Sequence, residues 1–285
     1  AVKHGYSFQH AAKVPAPYLV YGTQPAIGRI AAARAAAGLL TELREIDIGG
    51  LRNLSAASLG VSPAALELAA RRSVDATHCP SWELVLIWLS KLPLLATAMR
   101  AEPALPRWAW VDVGFNVYRV LRRRPPPAPW TRFWPRGGGV AVARNQGGCH
   151  NELRRTNFSA CIIGTFFYGE SAALLRLAQL FFARARRYVL RMASPGYAGP
   201  KLLCADQDVL EEAVAHEPSL VEEFQVSQRE FFGWGWAPPD KQSDNETRPS
   251  RRGECAAQDH APGKVMCQQS HLLLRARRHA KLSKT

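Results

Sequence analysis

Apolar residues recur along the first part of the chain in short runs separated by segments of helical character. The runs YLVYG (18–22) and REIDI (44–48) are typical of short buried strands. The Ala-rich segment between them, AIGRIAAARAAAGLLTEL (26–43), consists largely of strong helix formers. The pattern therefore predicts a strand, a helix and a second strand at the beginning of the fold.

Three longer segments are predicted to be helical. PAALELAARR (63–72) begins with proline, which suits the first turn of a helix. SWELVLIWLSKLPLLATAMRAEP (81–103) begins with serine, and Pro93 predicts a kink or a junction between two shorter helices. ESAALLRLAQLFFARARRYVL (170–190) has the periodicity of an amphipathic helix.

Two further apolar runs predict strands, WAWVDV (108–113) and FSACIIGTFFYG (158–169). Strands that alternate with helices indicate an α/β fold with a mostly parallel, twisted sheet flanked by helices. In such sheets ligands bind beyond the carboxyl ends of the strands. Asp112 lies where that rule places a site, and so do Gly164 and Thr165.

The formal net charge of +14 is concentrated in two segments. Residues 121–157 contain eight Arg against one Glu in a Pro- and Gly-rich context, which predicts a basic surface loop inserted into a domain spanning 1–236. Residues 237–285 contain ten Lys and Arg against five acids, which predicts a disordered basic tail with a short helix near 270–282. The sequence contains no run of 18 or more consecutive apolar residues, so it predicts no membrane-spanning helix.

Cysteine and asparagine usage bears on cofactors and compartment. The six cysteines show neither a C-x-x-C pair nor zinc-finger spacing, which argues against a structural metal site. Three of the six asparagines, Asn53, Asn157 and Asn245, begin N-x-[ST] sequons. This predicts the secretory pathway or Golgi lumen for a eukaryotic protein, and the cytoplasm or membrane periphery for a bacterial one.

Asp112 has two interpretations, and the spacing of the residues alone favours neither of them. An acid at the end of a strand, followed by Gly114 and Asn116, suits a divalent cation that bridges a diphosphate, because Mg²⁺ and Mn²⁺ prefer carboxylate oxygens. The alternative is a turn in which Asp112 caps the backbone and Gly114 supplies a positive φ.

The segment ADQDVL (205–210) also has two readings. Asp206 could be a helix N-cap, with Asp208 in the first turn favoured by the helix dipole. That reading leaves Gln207 between them without a role. Two carboxylates and an amide at a helix entrance can instead hold sugar hydroxyls and stabilise positive charge at an anomeric carbon.

The chain resembles the family of glycosyltransferases typified by the bacterial HtrL/YibB proteins, within the nucleotide-sugar (GT-A) superfamily. Matching pieces cover roughly residues 6–236 in the expected order, and "ADQDVL" is also similar to the DQD of glycogenin-like enzymes. These pieces are PYLVYGTQPAIGRIAAAR, SWELVLIWLSKLPLLATAM, WAWVDVGFNVYR, CIIGTFFYGESAALLRLAQLF and ADQDVL.

The resemblance implies a GT-A-like domain and a role for each matching residue. The donor side would comprise Asp112, Gly114, Asn116, Arg34 and Lys91, with the two basic residues neutralising phosphate. Gly164 and Thr165 would lie on the acceptor side. The catalytic set would be Asp206, Gln207 and Asp208.

The resemblance also implies a cofactor and partners. The cofactor would be Mn²⁺ or Mg²⁺ on Asp112, although Gly114 replaces the second acid of the superfamily's D-x-D, and the first strand expected before Tyr6 is missing. The partners would be a nucleotide-sugar, UDP-linked, and a glycan or lipid acceptor, with no specific nucleic acid. The rival hypothesis is a catalytically inactive GT-A-like protein whose basic loop and tail bind an anionic partner or the membrane periphery.

Overall fold

The computed structural model describes residues 16–24, 26–76, 79–112, 135, 137–145, 162–226 and 271–275. The strands in this part are Tyr18–Gly22 (β1), Thr41–Glu45 (β2), Arg107–Asp112 (β3), Val140–Asn145 (β4), Ile162–Glu170 (β5), Val221–Val226 (β6) and His271–Arg275 (β7). The α-helices are Ala26–Ala35 (α1), Ile48–Leu59 (α2), Pro63–Arg72 (α3), Trp82–Leu89 (α4), Lys91–Ala101 (α5), Ser171–Ala193 (α6) and Asp206–His216 (α7). The prediction of a mixed α/β fold is confirmed.

Side-chain caps define where three of the helices begin. Asp47, Ser62 and Ser81 each accept a hydrogen bond from the backbone N–H three residues later, at the starts of α2, α3 and α4. Helix α2 ends at Gly60, whose φ of 63° is a left-handed conformation that glycine adopts without strain. Helix α2 was not predicted, and the strand predicted at 44–48 lies three residues earlier, as β2 at Thr41–Glu45.

The predicted junction at Pro93 is confirmed. Helices α4 and α5 meet at Ser90, and Pro93 lies in the first turn of α5. A proline is tolerated there because the first N–H groups of a helix have no partner within the helix. The run Trp82–Ala101 is long and apolar enough to cross a membrane, with a mean hydropathy of 1.5, but 72% of it is buried inside the fold. Burial of this kind is typical of a core helix.

The strands form one sheet in the order β2-β1-β7-β3-β5-β4-β6. Only β1 with β2 and β4 with β6 are parallel neighbours, and the other four pairs are antiparallel. The prediction of a mostly parallel sheet is therefore wrong for strand pairing. The reason is that β5 and β7 run against the other five strands and insert between them.

In this sheet the carboxyl ends of five strands nevertheless lie at one edge. The carboxyl ends of β1, β2, β3, β4 and β6 lie at the same edge, together with the amino end of β5. Asp112 closes β3 there. Gly164 and Thr165 also lie near that edge, but at the beginning of β5 and not after a strand as predicted.

The main core lies between one face of the sheet and helices α2 to α7. Trp108 and Trp110 alternate on β3 and are both fully buried in it. Helix α1 packs against β1 and β2, and its Ile27 and Ile30 are buried outside this main cluster.

Two segments predicted to be irregular contain strands. Within the predicted loop 121–157, residues 140–145 form β4. Its first four residues, VAVA, are apolar and buried, and the backbone of the strand pairs with β5 on one side and β6 on the other. In the predicted tail a short helix was expected near 270–282, and that prediction is wrong for residues 271–275, which form β7 and pair through their backbone with both β1 and β3. The rest of the tail lies outside the described residues, as do 121–134 and 146–157.

Candidate functional site

Asp112 is held at the carboxyl end of β3 by its own strand. Residues two apart on a strand point to the same face, and the Trp110 indole N–H donates to Asp112 Oδ1 at 2.6 Å. The carboxylate is 1% exposed and points to the face that the helices cover. Trp110 was not predicted as a site residue, although the alternation in WAWVD places it on the same face of the strand as Asp112.

Lys91, the first residue of α5, binds the carboxylates of two distant segments. Its Nζ lies 3.0 Å from Asp112 Oδ2 and 2.8 Å from Asp206 Oδ2, and it donates to the Gly164 carbonyl oxygen at 3.0 Å. The two carboxylate contacts are ion pairs, and the printed hydrogen bond of the ammonium is the one to the Gly164 carbonyl, which lies on a third segment. We call Lys91, Asp112, Asp206 and the Gly164 carbonyl the Lys91 cluster.

The Lys91 cluster keeps its charges although it is buried. Burial lowers the pKa of Lys91, but the attraction of Asp112 and then Asp206 outweighs that effect, so the pKa lies above its ordinary value. Counted over the described residues of the Lys91 cluster alone, one ammonium and two carboxylates carry a net negative charge. At low dielectric such an excess favours a positively charged or hydroxyl-bearing ligand over a phosphate.

Close backbone packing brings the start of α7 to β5. A Cβ on Gly164 would lie 3.1 Å from Asp206 Oδ2 and 3.2 Å from Gln207 Cγ, tighter than ordinary van der Waals contact. Glycine at this position therefore allows Asp206 to reach Lys91. The capping role considered for Asp206 is wrong, since Ala205 occupies the N-cap and no side chain caps this helix.

Asp208 belongs to a different face of α7. It lies one turn before Glu212, to which the Tyr188 hydroxyl donates and with which Arg184 forms an ion pair of 2.9 Å. Burial, then repulsion from Asp206, raises the pKa of Asp208 to about 7. The structure thus brings Asp206 and Gln207 to Gly164, but not Asp208.

Arg34 is buried at the opposite edge of the sheet. Its guanidinium donates to Thr41 Oγ1 at 2.6 Å and to the Leu40 carbonyl at 2.8 Å, and lies 3.6 Å from the ring centroid of Tyr18. Burial lowers its pKa, and Tyr18 partly opposes this. Arg34 is in the last turn of α1, which returns the chain to the amino ends of the strands. It therefore cannot share a donor site with Asp112.

A disulfide that the sequence analysis did not predict anchors the approach to α7. Cys79 and Cys204 are bonded across 125 residues with their Cα atoms 5.6 Å apart, and both are buried. Cys204 precedes Asp206 by two residues, and Cys79 lies shortly before α4. No local spacing could have shown this pair. A buried disulfide is typical of an oxidising compartment.

The predicted divalent cation does not fit the described residues. Asp112 Oδ1 accepts from Trp110, and the Lys91 ammonium stands between Asp112 and Asp206 where a cation would bridge them. Over the described ranges, no group of three His, Cys, Asp or Glu side chains could hold a metal ion. Gly114, Asn116 and the side chain of Thr165 lie outside the described residues.

No protein-family model matches the chain, and no curated protein or solved structure is detectably similar to it. The family resemblance therefore stays a prediction, and the site has to be judged on its geometry.

Proposed function

We propose that this chain is a glycosyltransferase of GT-A type, which moves a hexose from a UDP-linked sugar to a glycan or lipid acceptor. The observation that supports the proposal is the Lys91 cluster. It joins the acid at the end of β3 to the acid at the start of α7, two residues that the sequence marks independently for donor binding and catalysis.

The chemistry follows from the charge of the cluster. In the transfer, the bond from the anomeric carbon to the diphosphate oxygen breaks, and the diphosphate leaves with the electron pair. The acceptor hydroxyl forms the new C–O bond, and its proton is transferred to the departing diphosphate. Positive charge develops on the sugar ring, and a buried site with more carboxylates than ammonium groups stabilises it.

Lys91 has a positioning role in this proposal. Because Lys91 already contacts two carboxylates and a carbonyl oxygen within the protein, a phosphate would have to compete with these acceptors for the ammonium. Lys91 instead keeps Asp112 and Asp206 ionised and close together. Asp206 and Gln207 would face the sugar, and the leaving diphosphate would need donors other than Lys91.

The test is calorimetric titration of the full chain with UDP-glucose and UDP-galactose, with and without Mn²⁺, alongside a UDP-release assay. We expect Asp206→Asn to lower turnover by about a hundredfold, as loss of a charge-stabilising group does. Asp47→Asn is the matched control, because asparagine also caps helices and Asp47 follows β2, which lies three strands away from β3 in the sheet. Absence of sugar-nucleotide binding, or equal effects of the two substitutions, would exclude the proposal.

The second candidate function is non-catalytic binding of an anionic partner. It is favoured by the net charge of +14 and by the position of Lys91, which contacts carboxylates within the protein. Salt-sensitive retention on heparin that survives Asp112→Ala and Asp206→Ala, without UDP release, would favour this candidate over the enzyme.

A further inference from the structure

The helices that pack on the core opposite the sheet are strongly basic. Helices α2, α3 and α6 together contain eight arginines against one acid, Glu67, and α6 contains no acid. Glu67 already forms ion pairs with Arg52 and Arg71. Nothing within these helices therefore offsets the charge of α6.

The basic residues of α6 fall into two groups. Arg176 pairs with Glu217, and Arg184 pairs with Glu212. The other three are exposed and, within the described part of the chain, have no acidic partner. These three are Arg186, Arg187 and Arg191.

The unpaired arginines form one stripe with an exposed leucine. Positions spaced by three and four residues share a helix face, and each residue of this stripe is exposed. Leu190 is 50% exposed and lies among these arginines, so the stripe presents an apolar side chain together with its positive charge. The stripe consists of Ala183, Arg186, Arg187, Leu190, Arg191 and Ser194.

We propose that this stripe is a docking surface for an anionic phospholipid membrane. Guanidinium groups bind phosphate oxygens in a bidentate manner, which suits lipid headgroups. Leu190, between Arg187 and Arg191, can enter the boundary between headgroups and acyl chains. A soluble polyanion would use the arginines alone and leave Leu190 in water, so the leucine is what favours a lipid surface.

The experiment is co-sedimentation of the full chain with phosphatidylcholine vesicles, with and without phosphatidylserine. We expect binding only with phosphatidylserine, and a loss of about ten- to thirtyfold for R187Q/R191Q, since each arginine near a charged surface contributes about a factor of five. The control R29Q/R100Q removes the same charge from exposed positions on α1 and α5. Circular dichroism would confirm that all variants are folded.

Leu190→Ser separates a membrane from a soluble polyanion. We expect it to weaken vesicle binding several-fold while leaving retention on heparin unchanged. The proposal is overturned if R187Q/R191Q binds vesicles as the wild type does, or if R29Q/R100Q loses as much. It is also overturned if Leu190→Ser leaves vesicle binding intact. None of these outcomes depends on sugar-nucleotide turnover, so the surface and the proposed enzyme can fail separately.

Discussion

Lys91 and Arg34 are both buried cations, but they are neutralised in different ways. Lys91, at the carboxyl edge of the sheet, lies between two carboxylates. Arg34, at the amino edge, is surrounded by a hydroxyl, backbone carbonyls and the face of Tyr18. The pKa of Lys91 is raised and that of Arg34 is lowered. Neutral acceptors satisfy the N–H donors of Arg34 and remain neutral without it. The carboxylates around Lys91 are charged, so their own stability in the buried site depends on the lysine.

The comparison suggests different purposes for the two residues. Arg34 ties the end of α1 to the strands on either side of it and leaves no charged group to act on a ligand. Lys91 holds two acids that would repel each other and would not stay ionised without it. Only the Lys91 end of the sheet therefore has the character of a site.

The largest expected effect is that of Lys91→Met. It removes the ammonium that lies between two buried carboxylates, and we expect it to lower the free energy of unfolding by about 3–5 kcal/mol at pH 7. Without Lys91 the pKa values of the acids rise, so the loss is fully present above those values and shrinks as pH falls to 5. Urea denaturation at both pH values measures this, with K91M/D112N/D206N as the charge-free control. A loss that does not change with pH would contradict the account.

The second-largest effect is expected from removal of the disulfide. It tests whether the carboxyl edge and the amino edge of the sheet are stabilised independently. C79S/C204S should lower the free energy of unfolding by about 2–4 kcal/mol. Because Cys204 lies two residues before Asp206, hydrogen exchange should quicken at 203–210. It should stay unchanged near Arg34, in β1 and β2. Equal quickening at both edges would show that the disulfide only stabilises the fold as a whole.

Arg34→Met is the counterpart of the lysine substitution. It leaves the carbonyls of Ala16 and Leu40 and the Thr41 hydroxyl without their donor. We expect a loss of about 2–3 kcal/mol, as for buried acceptors left unsatisfied. Since the described partners of Arg34 include no carboxylate, we expect the loss to be the same at pH 5 and pH 7. A pH-dependent loss would erase the distinction between the two cations.

Asp208→Asn should have the smallest effect, in the opposite direction. The pKa of Asp208 is raised to about 7, so its burial costs nothing below about pH 4; the cost grows between about pH 4 and pH 7 and stays constant above that. We expect the variant to be more stable than the wild type by about 1 kcal/mol at pH 8, after allowance for solvent screening. The two should be equal at pH 4. Thermal melts across this range measure the difference, and a destabilised variant at pH 8 would refute the assignment.

Several elements were predictable because their signals are local. Strand β1 and helix α3 begin and end where the sequence predicts, since apolar runs and a proline next to a capping serine act within a few residues. Sheet pairing was not predictable in this way, because the direction of β5 and the insertion of β7 depend on contacts between distant segments.

The candidate site also has features that were predictable from local sequence and features that depend on contacts between distant segments. The sequence by itself determined which residues have the chemistry, and it marked Lys91, Asp112, Gly164 and Asp206 on separate segments. Only the tertiary structure decided that these four meet and that Arg34 and Asp208 do not join them. It also decided that Lys91 binds carboxylates within the protein. The physical reason is that charge and hydrogen-bonding capacity belong to a residue, whereas its partners depend on how the strands and helices pack.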